Sequence, residues 1–206
     1  MARLTPQFFD KILRIEGGYQ NMPDDNGNYT PCGTLAGTKF GVSAVAYSTW
    51  VGRCATEEEM RNLTEQTAFN FYAWYFDLYN NFQIENQQLA ELSMNNTMGS
   101  PTAAAKVEQR VLNRLGNYGL TVDGSRGPRT LAALNEEARR NLPRLYNALR
   151  EEWIEYLRSL NSRFFAGWMV RMESFPPIGG SAGVSMAGVG WIVGALIALS
   201  IFKPKS

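Results

Sequence analysis

The chain has no histidine. That absence excludes serine and cysteine hydrolases built on an imidazole base. It also excludes zinc sites built on histidine, including the usual metal-dependent peptidases and amidases. Cysteine is scarce: Cys32 and Cys54 are the only two, too few for a four-thiolate metal site. They pair in an oxidising compartment or stay free in a reducing one, and the reading here leans towards free thiols. A net charge of +1 over 206 residues gives no electrostatic case for a nucleic-acid partner. No metal and no cofactor are expected. What remains for hydrolytic chemistry is mainly carboxylates, and paired carboxylates are the tools of glycoside hydrolysis. The first residues, Met1 to Pro6, lack the continuous apolar core of a signal peptide. Charge is missing again from Ser174 to Phe202, before Lys203 and Lys205 close the chain.

The stretch Ile15-Glu16-Gly17-Gly18-Tyr19 stands out among what is present. Thr5 as N-cap and Pro6 at the first helical position open a helix. Phe8, Phe9, Ile12, Leu13 and Ile15 recur at helical spacing and give it a buried face. Gly17-Gly18 ends it, since glycine accepts the left-handed backbone of a helix C-terminus. Glu16 then falls in the last turn, beside the partial negative end of the helix and beside apolar side chains. Both disfavour the carboxylate and predict a raised pKa, as a general acid requires. The alternative is an ordinary solvated glutamate.

Asn21 to Asn28 is dense in turn formers, and Asn26-Gly27 is a hairpin signal. A small irregular β-hairpin is expected from here to Val42. It would bring Asp25, nine positions after Glu16, back across a cleft. Thr38 would join them and hydrogen-bond a water or a sugar hydroxyl. Turn capping is the plain alternative for Asp24 and Asp25. Beyond Ser43 the signals are helical. Ser43 caps one helix, Thr56-Glu57-Glu58-Glu59 is a capping box, and Thr64 caps a helix rich in Phe, Tyr and Trp. Helices follow at Ile84 to Met94 and Ala103 to Leu115, joined by a loop over Asn95 to Pro101 that offers Asn96 to the cleft. Gly119 to Thr130 is a compact turn into a helix begun by Pro128. Asn141 caps a long amphipathic helix carrying Leu145, Leu149, Trp153, Tyr156, Leu157 and Leu160 on its core face. A last helical piece runs from Phe164 to Met172, with Trp168 and Arg171 one turn apart.

Glu16-Gly17-Gly18-Tyr19, Asn21, Pro23, Asp24-Asp25, Gly27 and Thr38-Lys39-Phe40-Gly41-Val42-Ser43 together resemble the opening motif of glycoside hydrolase family 108. About eight residues, Tyr29 to Ala36, look inserted before Thr38, which leaves Thr30 as a rival for the site threonine. Val122-Asp123-Gly124, Gly127-Pro128-Arg129-Thr130 and Gly167-Trp168-Met169-Val170-Arg171 look like that family's C-terminal peptidoglycan-binding module. The resemblance implies a mainly α, lysozyme-like fold with a small β-hairpin. It also implies an N-acetylmuramidase of phage-endolysin type that hydrolyses the β-1,4 bond between N-acetylmuramic acid and N-acetylglucosamine. Glu16 takes the acid's role, Asp25 and Thr38 complete the catalytic set, and Tyr19, Asn96 and Trp168 are the expected substrate contacts. A lytic transglycosylase and a non-catalytic murein-binding protein are the alternatives.

The expected organisation is a catalytic part over residues 1–115, a peptidoglycan-binding part over 116–174, a linker over 175–183 and a transmembrane helix over 184–202. Val184 to Phe202 is 19 residues without a charge, and a spanning helix needs about 20. Gly190 and Gly194 would give weak self-association in a membrane. The partners expected are peptidoglycan and the host inner membrane, with a single-pass anchor and the catalytic domain in the periplasm.

Overall fold

A computed structural model of the chain describes residues 1–15, 17–162 and 165–179. The expected acid Glu16 and the apolar tail 184–202 lie outside them. The described chain is mainly helical with one small two-stranded antiparallel sheet. It forms two compact units, one spanning Leu4–Leu78, the other Met1–Arg3 with residues 79–179.

The first unit holds α1 (Pro6–Ile15), β1 (Thr38–Lys39), β2 (Val42–Ser43), α2 (Ala44–Val51), α3 (Glu57–Arg61) and α4 (Glu65–Leu78). Its helices begin where the caps require. Thr5 Oγ1 accepts from Phe8 N at 3.1 Å. Ser43 Oγ accepts from Ala46 N, and the Thr56/Glu59 box is complete in both directions. Each such cap contributes about 1 kcal/mol. Arg53 and the Thr56 backbone hold the Glu59 carboxyl down to about 2. Phe8, Phe9 and Ile12 are buried, and each adds about 1.5–3 kcal/mol of apolar burial. Phe9 meets Phe69 edge-on at 5.2 Å, and Phe71 gathers Trp50, Tyr72, Trp74 and Tyr75 around it. Tyr72 Oη donates to the carbonyl of Phe40 at 2.9 Å, fastening α4 to the hairpin turn.

That turn is not at Asn26-Gly27, as the dipeptide suggested. Asn26–Asn28 is a single 3₁₀ turn capped by Asp25. The strands reverse at Phe40 and Gly41, whose φ values are 52° and 72°, the left-handed pair of a two-residue hairpin loop. β1 and β2 pair with Thr38 opposite Ser43 and Lys39 opposite Val42. The long-range contact of Tyr72 with Phe40 selects this reversal over the better local signal.

The second unit holds α5 (Gln87–Gly99), α6 (Pro101–Gly116), α7 (Pro128–Ser159) and α8 (Phe165–Glu173). The stretch Asn95 to Gly99, expected as a loop, continues α5. Its polar side chains find partners inside the helix packing, and the break falls only at Ser100, which caps α6. α7 is kinked at Asn141 (φ −159°, ψ 84°). Asn141 Oδ1 accepts from Arg144 N at 3.1 Å, so it caps the second segment as expected. Leu145, Leu149, Trp153 and Leu157 are buried, whereas Leu160 is exposed at the helix end.

The turn between α6 and α7 is held by side chains. Gln109 donates to Asp123 Oδ1 at 2.7 Å and accepts from Gly124 N at 3.0 Å. Gly124 has φ 80°, and a Cβ there would lie 2.6 Å from Thr102, so only glycine fits. The turn delivers Arg126 to the interior. Nε and Nη2 meet the two oxygens of Glu108 at 2.7 and 2.6 Å. Nη1 reaches the Tyr79 carbonyl and Asn81 Oδ1, and Nη2 also reaches Thr97 Oγ1. All five guanidinium donors are used. Ser93 Oγ adds a donor to Glu108. The side chains are only 7% and 4% exposed, so removing one partner strands a buried charge. Arg126→Met is expected to destabilise this unit by about 3–5 kcal/mol, read from urea unfolding followed by circular dichroism.

Candidate active site

α1 ends at Ile15. Four residues past the glutamate, Gln20 joins the edge of the sheet. Gln20 N donates to the Thr38 carbonyl at 2.9 Å, and Thr38 N to the Gln20 carbonyl at 2.8 Å. This bridge places residues just past the glutamate motif against β1.

A polar network grows from that bridge. Asn28, fully buried, accepts from Thr38 Oγ1 at 2.7 Å. Gln20 and Asn28 form a reciprocal amide pair, Gln20 Nε2 to Asn28 Oδ1 at 3.0 Å and Asn28 Nδ2 to Gln20 Oε1 at 2.8 Å. Gln20 Nε2 also donates to Asp25 Oδ2 at 3.2 Å. Asp25 Oδ1 accepts from Gly27 N at 2.9 Å, which is the turn-capping job. Asp25 and Thr38 are therefore brought into one network, with Gln20 and Asn28 between them. Thr30 is buried as well, but its hydroxyl accepts from Thr34 N and closes the neighbouring turn. That hydroxyl serves its own turn, whereas Thr38 reaches Asp25 through two amides.

Tyr19, an expected substrate contact, has its hydroxyl 3.1 Å from the Ala36 carbonyl and 3.2 Å from Glu57 Oε1. The Arg61 guanidinium lies 4.3 Å from its ring centre and also binds Glu57 at 2.6 Å. Burial first, then the adjacent Glu57 carboxylate, raises its phenol above the ordinary value, so it stays a protonated donor. Gly37 makes room for this ring: at φ 90° a Cβ would stand 2.6 Å from both the ring and the Gln20 carbonyl.

The inserted stretch packs against the same residues. Tyr29 bridges Leu35, and the carbonyl of Asn28 accepts from both Ala36 N and Gly37 N. The reversal puts Cys32 at its tip, where it is disulfide-bonded to Cys54 with Cα atoms 6.2 Å apart. The lean towards free thiols is thus corrected. Linear distance concealed the pairing, because Gly52 ends α2 in a left-handed turn that carries Cys54 to the inserted loop.

Asn96 and Trp168 belong to the other unit, where both are buried, at 4% and 7% exposure. Asn96 Oδ1 accepts from Asn95 Nδ2, and Asn95 in turn accepts from Arg171 Nε at 2.7 Å. Sequence reasoning missed Gln20 and Asn28. The signal was faint: a glutamine four residues past the glutamate, and an asparagine closing a run of turn formers.

Residues 9–98 match the glycosyl hydrolase 108 family model, and residues 103–173 match a predicted peptidoglycan domain. No curated protein matches the chain. Among solved structures, SagA of Brucella abortus is similar, with 26% identity over 83% of this chain and 92% of its own, at a TM-score of 0.64. These matches support a lysozyme-like helical fold and peptidoglycan hydrolase activity of the glycosidase kind, with peptidoglycan as partner.

The disulfide closes a loop of 22 positions next to the network. Reduction, or the double substitution Cys32→Ser/Cys54→Ser, is expected to lower the stability of this unit by about 3 kcal/mol. Urea midpoints with and without dithiothreitol measure it.

Proposed function

We propose that the chain is an N-acetylmuramidase of endolysin type, hydrolysing the β-1,4 bond between N-acetylmuramic acid and N-acetylglucosamine during host-cell lysis. The observation that carries this reading is the Asp25–Gln20–Asn28–Thr38 network, built directly after Glu16-Gly17-Gly18 in the segment matching glycosyl hydrolase 108.

In this reading Glu16, protonated, gives its proton to the glycosidic oxygen as the bond to the anomeric carbon breaks. The carbon left behind is oxocarbenium-like. Asp25, as carboxylate, stabilises that charge or directs the incoming water. Water adds at the anomeric carbon and loses a proton, which restores the carboxyl set and leaves a reducing end. Thr38 orders the water's surroundings through Asn28. Tyr19 acts as the anchor of the glutamate-bearing segment, since its hydroxyl already faces Ala36 and Glu57.

The tail, read from its uncharged sequence, would tether the enzyme to the inner membrane with the catalytic part in the periplasm. The disulfide supports this placement, because such bonds persist in oxidising compartments. Among the described residues no helix is long and apolar enough to cross a membrane, so the tether rests on residues 184–202 alone. Unchanged membrane fractionation after truncation behind Ser174 would refute it.

Glu16→Gln is expected to cut activity on purified peptidoglycan by about 10²–10⁴-fold with the thermal midpoint nearly unchanged. Mass spectrometry of the wild-type digest should show reducing muramic acid ends. Anhydro-muramic ends would mean a lytic transglycosylase instead, and full activity of the variant would remove Glu16 from the chemistry.

A further inference from the structure

We infer that Gln20 is a positioning residue for Asp25, with Asn28 as the partner that sets its orientation. The inference rests on the reading of Asp25 as the second carboxylate of the site.

A carboxylate with one anchored oxygen still rotates about its last side-chain bond. Asp25 has its Oδ1 anchored by Gly27 N, which makes it a turn cap and no more. The second anchor, Gln20 Nε2 on Oδ2, fixes the plane of the group. Among the described residues each oxygen then has a single donor, and a carboxylate offers about four acceptor sites. Acceptor capacity remains for a water or for the reacting sugar.

Gln20 can serve as an anchor only if its amide cannot flip. The surrounding groups decide this. Gln20 Oε1 accepts from the backbone N–H of Met22 at 3.0 Å, a group that can only donate. The nitrogen end must therefore face Asp25. Asn28 is settled the same way. Its Nδ2 donates to the Met22 carbonyl at 3.0 Å, a group that can only accept, so Oδ1 must face Gln20 and Thr38. The reciprocal pair links the two choices, and the strand bridge to Thr38 holds the Gln20 backbone. Turning either amide over would set donor against donor and acceptor against acceptor. Asn28 has no solvent exposure, so water cannot relieve such a mismatch, and buried polar groups left unpaired are costly. Thr38, in this arrangement, donates to Asn28 and secures the amide pair from the sheet side.

A staple for the fold would use the same bonds, so the test must separate holding the fold from aiming the carboxylate. Gln20→Met removes the amide. Gln20→Glu keeps an oxygen for Met22 N and Asn28 Nδ2 but sets a second oxygen against Asp25 Oδ2 and Asn28 Oδ1 in place of their donor. The measurement is kcat and KM of the full-length chain on soluble peptidoglycan glycan strands, with thermal midpoints beside them. Gln20→Met is expected to lower kcat by about 10²-fold, the scale of a small misplacement of a reacting group, with KM nearly unchanged. Gln20→Glu should lose as much kcat although it keeps the acceptor bonds, and it serves alone if the methionine variant does not fold. In an Asp25→Asn background, adding either Gln20 substitution should cost nothing further. If Asp25→Asn is impaired while both Gln20 variants keep wild-type kcat per folded molecule, the inference is wrong and the reading of Asp25 stands. Independent, multiplicative losses in the double variants would also overturn it. Wild-type kcat in Asp25→Asn would overturn the role of Asp25 itself, and the inference with it.

Discussion

The reciprocal amide pair of Gln20 and Asn28 is the constraint on which the first unit's polar side is built. It ties together the segment leaving the glutamate motif, the 3₁₀ turn capped by Asp25, and β1 through Thr38. The inserted loop hangs on the same residue, since the Asn28 carbonyl receives Ala36 N and Gly37 N. Three pieces of irregular chain and the strand β1 are thus held by side chains and bridges rather than by a large sheet. That explains how so short a sheet, two residues per strand, suffices here. Backbone groups in irregular segments still need partners, and the amides, the Asp25 cap and the Gln20–Thr38 bridge provide them.

The second unit solves a similar problem with charge. Its turn after α6 has few backbone bonds of its own. Gln109 and Asn113, on α6, bond to it instead. Arg126 then reaches α5, α6 and the segment before α5 at once. A hydrophobic residue there would fill the space but would take the guanidinium away from the Glu108 carboxylate, the Tyr79 carbonyl, Asn81 Oδ1 and Thr97 Oγ1. The arrangement gives a physical meaning to Val122-Asp123-Gly124: Asp123 closes the turn, Gly124 lets it approach Thr102, and both serve to aim Arg126. The chain after α8 is tied down likewise, with Arg150 donating to the Phe175 carbonyl and Asn147 meeting both backbone groups of Ile178.

Much of this was legible before any coordinates. Helix starts were read from Thr5-Pro6, Ser43, Thr56 to Glu59, Thr64, Pro128 and Asn141, and each has its expected partner or place. Caps are local: donor and acceptor lie within three residues, so sequence order is nearly spatial order. The misreadings were of the opposite kind. Asn26-Gly27 has the better turn chemistry, yet the hairpin reverses at Phe40-Gly41, where Tyr72 holds the carbonyl. Asn95 to Gly99 looks like a loop because its polar residues suit one, but Arg171 and Ser93 take those groups up within the helices. In both cases a partner more than thirty residues away, or an entire helix neighbour, outweighed the local preference.

The residues alone therefore established the helical class, the helix boundaries set by caps, and the motif that relates the chain to peptidoglycan-acting glycoside hydrolases. All of these rest on interactions within one turn or on residue order. Tertiary structure alone decided that Cys32 bonds Cys54, that Thr38 rather than Thr30 is wired to Asp25, and that Gln20 and Asn28 stand between them. Each of those depends on where an irregular backbone folds back on itself. Such a path is set by the sum of many weak, distant contacts, and no short stretch of sequence carries that sum.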